Sequence, residues 1–184
     1  MQREVFRLRS DVERYLWLTL VDASDDRALE PIREAESVAA LWRPLAVKTI
    51  VETPDDEGKV LSDFPPCWVT PTFSAKAVLM LRDLLARHGE LLPLRNYPYY
   101  FYNVTTLVDA LDMSASDIQR FSSGSIMSIE KCVFRASSLD GSAIFRIPQF
   151  RRVNVYVDAR FKDRVAESGL TGFVFEPIVI NEAA

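Results

Sequence analysis

Between residues 74 and 88 the apolar side chains recur at helical spacing, and this stretch constrains the fold more than any other. At 100° per residue, Ala77, Val78, Leu81, Leu84 and Leu85 share one side, flanked by Leu79 and Met80. Lys76, Asp83 and Arg87 fill a narrow polar stripe opposite. Thr72 or Ser74 can accept from the free N–H groups at the start, and Gly89, directly after His88, offers a left-handed residue as the stop. So wide an apolar arc needs cover from a sheet and from a second element.

Several stretches read as strands to supply that sheet. Residues 14–21 are β-branched and aromatic, and residues 44–52 set Leu45, Val47, Thr49 and Val51 against Ala46, Lys48 and Ile50. Between them, residues 22–43 are acidic and irregular, with room for a short helix near 33–41. Residues 53–59 form a turn, residues 63–66 block helix, and residues 67–70 form a short extended piece. Strands follow near 91–94 and 99–104, then a helical stretch at 106–111 and a capped helical turn at 114–121. Residues 126–134 are expected to pair with 143–147 across the Asp140-Gly141 turn. Residues 153–157 alternate, with Val153, Val155 and Val157 inward and Asn154 and Tyr156 outward. Asp158 caps a second helix, 159–168, in which Phe161 and Val165 pack and which Gly169 ends, and residues 172–180 make a last strand. The expected fold is α+β: a single domain, 1–184, with a largely antiparallel sheet and two main helices packed on it.

The residue inventory excludes most catalytic chemistry. The chain has one histidine, two cysteines and six glycines in 184 residues. There is no phosphate-cradling loop, dinucleotide fingerprint or nucleophile elbow. His88 at a helix end can satisfy the last carbonyls, and one histidine with two distant cysteines does not make a zinc site. No catalytic or metal-binding residue and no cofactor is expected, and the chain is read as not an enzyme. Carboxylates are the remaining option. Asp109 and Asp112, three apart, could share a helix face and hold a divalent metal, or Asp112 could simply end a helix. Tyr97, Tyr99, Tyr100, Phe101 and Tyr102 could line a ligand pocket or fill a central strand. Arg146, Arg151 and Arg152 are the best candidates for an anion-binding patch, unless they pair with nearby acids as a hairpin rim.

Charge separates the two halves of the chain. The net charge is −4, and all of it falls in the first half. The acids gather at Asp22, Asp25, Asp26, Glu30, Glu34 and Glu36, and again at Glu52, Asp55, Asp56 and Glu57. Such segments are solvated loop surface, or they steer a basic partner and repel nucleic acid. Residues 1–15 alternate charge and lack the apolar core of a secretion signal. No apolar run approaches the ~20 residues of a membrane span. Cys67 and Cys132, each among apolar neighbours, read as reduced buried thiols. A cytoplasmic protein without membrane contact, monomeric or homodimeric, is expected.

Four pieces in order resemble one family. They are LSDFP (61–65) with the SAKAVLMLRDLL helix (74–85); LLPL (91–94) with an aromatic strand and Asn103; VDALDMSAS (108–116); and AIFRIPQFRRVNVYVDARFKDRVAESGLTGFVFEPI (143–178). Their ordering resembles the Imm11 family of bacterial immunity proteins, associated with polymorphic toxin and contact-dependent secretion systems, over residues 45–178. Residues 1–44, a strand and an acidic segment, lie outside the resemblance. The resemblance implies a cytoplasmic protein that binds and neutralises a cognate toxin or effector without catalysis of its own. The ten acids named above are then the candidate toxin contacts, suited to a basic target such as a nuclease. The alternatives are a small carboxylate- and metal-dependent hydrolase or nuclease, and a regulatory domain for a small ligand.

Overall fold

A computed structural model describes residues 4–51, 53–68 and 70–182. Its strands are β1 (Val5–Ser10), β2 (Trp17–Leu20), β3 (Val47–Ile50), β4 (Thr72–Ser74), β5 (Gly89–Pro93), β6 (Tyr99–Val104), β7 (Asp117–Arg120), β8 (Ile126–Lys131), β9 (Val133–Arg135), β10 (Ile144–Phe145), β11 (Val155–Asp158), β12 (Phe173–Pro177) and β13 (Val179–Asn181). The α-helices are α1 (Glu30–Arg33), α2 (Ala75–Leu85) and α3 (Ala159–Glu167). The α+β class stands, but the expected single sheet is five small ones among the described residues. The largest runs β10-β11-β1-β12 and is antiparallel throughout. A three-stranded sheet β4-β6-β5 and the ribbons β2-β3 and β7-β8 are also antiparallel, whereas β13 and β9 pair in parallel.

The four-stranded sheet carries an apolar cluster on each face. Phe6, Leu8, Val155 and Val157 face a cluster completed by Phe73, Leu81, Leu85, Tyr102, Phe161 and Val165, where α2 and α3 lie. Val5 and Tyr156 face a second cluster with Leu111, Ile129, Phe134 and Ile147. A third cluster, with Leu18, Leu29, Ile32, Val47, Leu92 and Phe101, lies beneath the acidic segment. The double burial corrects the expected alternation at 153–157: Tyr156 and Asn154 are buried, and Val153 is exposed.

Both main helices begin as their caps dictate. Ser74 Oγ accepts from Ala77 N at 3.0 Å, and Asp158 Oδ1 accepts from Phe161 N at 3.1 Å. Gly169 closes α3 with φ +58°, as expected. Gly89 does not close α2 in that way. The helix ends at Ala86, and Gly89 starts β5 as an extended residue. It is glycine because a Cβ there would fall 2.2 Å from the Asn103 carbonyl oxygen.

Other expectations fail where pairing is non-local. The helix near 33–41 is displaced: helical turns span Ala23–Leu29, Glu30–Arg33 and Ala39–Leu41. Residues 106–111 are not helical but bridge along their neighbours, Leu107 beside Arg146 and Leu111 beside Phe134. Residues 117–120 are a strand, and they, not 143–147, pair with β8. Residues 143–147 instead place β10 against β11. The last strand is two, β12 and β13, in different sheets. Strands β1 and β4 went unread.

Candidate functional site

Two of the pieces that carry the family resemblance, the first and the last, meet in a structural clamp. Asp63 accepts from Ser74 Oγ at 2.6 Å and from Thr171 N at 3.0 Å, and Lys76 Nζ stands 3.6 Å away. Burial works to raise its pKa, but these donors outweigh it and leave the carboxyl below the ordinary aspartate value. Phe64 N donates to Thr171 O at 3.1 Å. LSDFP, the start of α2 and the Gly169–Gly172 turn are therefore tied to one another, and Asp63 is fully engaged in holding them.

The candidate contact acids do not form one patch. Residues 22–36 lie at the end of the β2-β3 ribbon where Leu20 pairs with Val47, and residues 53–57 lie beyond the other end, where Trp17 pairs with Ile50. Glu52 lies outside the described residues. Within the first group, Asp22 caps its own helical turn by accepting from Ser24 N at 2.8 Å. Asp26 and Glu30 pair with Arg33 at 2.5 and 3.2 Å. Glu34 pairs with Arg151 at 2.5 Å and also with Arg152, which reaches Glu30 at 2.5 Å. Hydrogen bonds from these arginines hold the Asp26, Glu30 and Glu34 carboxyls below their ordinary range. In the second group, Asp56 accepts from Thr53 N and pairs with Lys59 at 2.8 Å. Asp25, Glu36, Asp55 and Glu57 make no side-chain hydrogen bond or ion pair with the described residues.

The carboxylate option loses its geometric basis. Asp109 and Asp112 are not on a helix, so their spacing does not give them a common face. Asp109 accepts from Gln149 Nε2 at 2.6 Å, whereas Asp112 is buried and caps the 113–115 turn. Ser114, Asn181 and Ala115 donate to Asp112 and lower its pKa to about 2. No group of three potential metal ligands occurs among the described residues. The His88 ring does not cap helix carbonyls. Its Nε2 accepts from Ala143 N at 3.3 Å, its Nδ1 lies 3.3 Å from Thr106 Oγ1, and burial lowers its pKa. In the tyrosine group, Tyr102 donates to Leu85 O at 2.7 Å and Tyr99 to Ser62 O at 2.9 Å. Tyr102 is buried in the first core cluster, and Tyr99 packs half-buried against the third. Neither cysteine forms a disulfide.

A cleft of about 320 Å³ opens between β1, residues 64–68 and 70–71, and residues 151–155. Its lining includes Arg9, Arg146, Arg151 and Arg152 and, among the described residues, no carboxylate. Arg146 is only 4% exposed; its Nη1 donates to Ile32 O at 2.7 Å, and its Nε has no partner. Burial lowers its pKa to about 10, so it stays charged at neutral pH. Trp68, 75% exposed, stacks on Trp17 with centroids 4.6 Å apart, and the exposed Val12 and Val153 complete the rim. The sequence reading picked out three of these arginines. It placed their acids nearby in the chain, yet Glu34 and Glu30 come from 117 to 122 residues upstream. Arg9, Trp17 and Trp68 were missed, since exposure of a tryptophan leaves no trace in local pattern.

Residues 94–179 match the model of the Imm11 immunity protein family, just under half of the chain. The match supports the immunity-protein resemblance, and it contains Arg146, Arg151 and Arg152 but not Arg9, Trp17 or Trp68. No curated protein matches the chain. Among the described residues, no helix is long and apolar enough to cross a membrane.

Proposed function

We propose that this chain is a cytoplasmic immunity protein that binds a cognate bacterial toxin or effector and blocks it, without catalysis of its own. The observation that carries this reading is the family match over residues 94–179. The motif residues support it, since Asp63, Thr171 and Gly172 have sufficient structural employment and leave no catalytic group among them. The whole chain, 1–184, acts as one unit in this reading. Pairing of β1 with β11 and β12 ties the N-terminal strand into the C-terminal half. The uncommitted acids Asp25, Glu36, Asp55 and Glu57 steer a basic toxin toward its site. The test is co-expression with a toxin encoded by a neighbouring gene, scoring growth and co-purification. Rescue of growth together with a stable complex is the expected result; growth arrest with no complex refutes the reading.

A further inference from the structure

We infer that the cleft between β1, residues 64–68 and 70–71, and residues 151–155 captures a short acidic segment of the protein partner, seating a carboxylate against its arginines and an apolar side chain on the tryptophan stack. That the segment belongs to a toxin rests on the function proposed above; the chemistry of the cleft does not. Arg146 is the first reason. It lines the cleft, is more than nine-tenths buried, makes one side-chain hydrogen bond, leaves Nε unpartnered and has no carboxylate partner among the described residues. A buried charge without a counter-charge is unfavourable, and an incoming carboxylate would supply one.

The lining is the second reason. In a protein of net charge −4, this surface carries four arginines and, among the described residues, no acid. Arg151 and Arg152 are held in place by Glu34 and Glu30, so they are fixed before a partner arrives. Arg9 is exposed and has no ion-pair partner among the described residues. The third reason is the exposed apolar rim of Trp68, Val12 and Val153. Tryptophan and arginine are the side chains that dominate binding energy at protein interfaces. A volume of about 320 Å³ suits a few side chains and not a folded module. Stacked tryptophans beside arginines also suit single-stranded nucleic acid. The Glu30 and Glu34 carboxylates beside Arg152 and Arg151 oppose a continuous phosphate chain leaving the cleft, whereas a single carboxylate side chain need not pass them.

The test uses the full chain and a fluorescein-labelled peptide holding one glutamate and one leucine in a glycine-serine frame, read by fluorescence anisotropy. The glutamine-for-glutamate peptide and an oligothymidylate serve as competing probes. The expected result is saturable binding of the glutamate peptide and at least tenfold weaker binding of the glutamine peptide. Trp68→Ala and Arg9→Glu, both at exposed positions, should each weaken the glutamate peptide at least tenfold with unchanged melting temperature. Arg146→Met is compared only where its melting temperature is retained. Equal binding of the two peptides, preference for oligothymidylate, absence of saturable binding, or full binding by both exposed variants overturns the inference. Growth rescue by co-expression alongside a failed peptide test removes the cleft and keeps the immunity function. A cleft that binds peptide in a chain that rescues no toxin does the reverse.

Discussion

A Cβ on Gly172 would lie 2.1 Å from Ser62 Oγ in a residue whose φ is +87°, so two constraints exclude it at once. Gly89 has an ordinary φ but the same crowding against Asn103. Gly172→Ala and Gly89→Ala should each destabilise by about 1–3 kcal/mol through overpacking, seen as lowered thermal midpoints. Gly124→Ala, with nothing within 4 Å, meets only its φ of +85° and should lose less. Two of the shifted side chains give pH responses in separate ranges. Burial lowers the His88 pKa, so the unfolded chain takes up that proton first, and stability falls as pH drops below about 6.5. His88→Gln should flatten the slope of melting temperature between pH 5 and 7; an unchanged slope assigns it to other groups. Asp112 is held down to about 2 by Ser114, Asn181 and Ala115. Its contribution is complete above the ordinary aspartate value of about 3.9 and is lost as pH falls from there toward 2. Asp112→Asn should remove that acid-dependent part of unfolding, measured by denaturant titration at pH 2 to 5.

At the scale of elements, α2 and α3 meet the four-stranded sheet through Leu81, Leu85, Phe161 and Val165, all buried. Leu81→Ala, Leu85→Ala and Phe161→Ala should cost about 2–5 kcal/mol each by leaving cavities, and Val165→Ala less. Chemical denaturation checks this, and unchanged stability in all four would mean that the helix faces are misassigned. These helices were legible because caps and 3.6-residue periodicity are local: Ser74, Asp158 and Gly169 act where the sequence places them. The strands were less so. In 106–111, Val108 and Leu111 have helical spacing, yet the backbone bridges from Leu107 to Arg146 and from Leu111 to Phe134, more than twenty residues away. Alternation at 153–157 assigned Tyr156 outward because that pattern assumes one wet face, and here both faces are covered. β1 was hidden by Arg7 and Arg9, although Val5, Phe6 and Leu8 beside them are buried.

In the whole molecule, charge organises the surface by pairing distant segments. Asp26, Arg33, Glu30, Arg152, Glu34 and Arg151 form one chain of ion pairs that joins the acidic segment to the C-terminal half. Isolated exposed pairs contribute little, but a shared network fixes geometry, here the position of two cleft arginines. The candidate site was thus half legible. The arginines could be picked by type, but which acids neutralise them and which one stays without a partner depends on three-dimensional proximity. The acidic segments therefore divide into residues that hold the fold and residues left to act at a distance. Asp25, Glu36, Asp55 and Glu57 are of the second kind, so reversing them to Lys should leave the melting temperature nearly unchanged. Exposed charges away from the contact centre act mainly on the rate of encounter, through a field that salt screens over about 8–10 Å. With a basic toxin, the quadruple variant should associate more slowly at low salt and show a flatter dependence of that rate on ionic strength, with dissociation little altered. Reversing Asp26, Glu30 and Glu34 instead should lower stability, because it breaks the ion-pair chain. Stopped-flow association at two ionic strengths separates the outcomes: an unaltered rate and slope in the quadruple variant would show that the toxin approaches along another face.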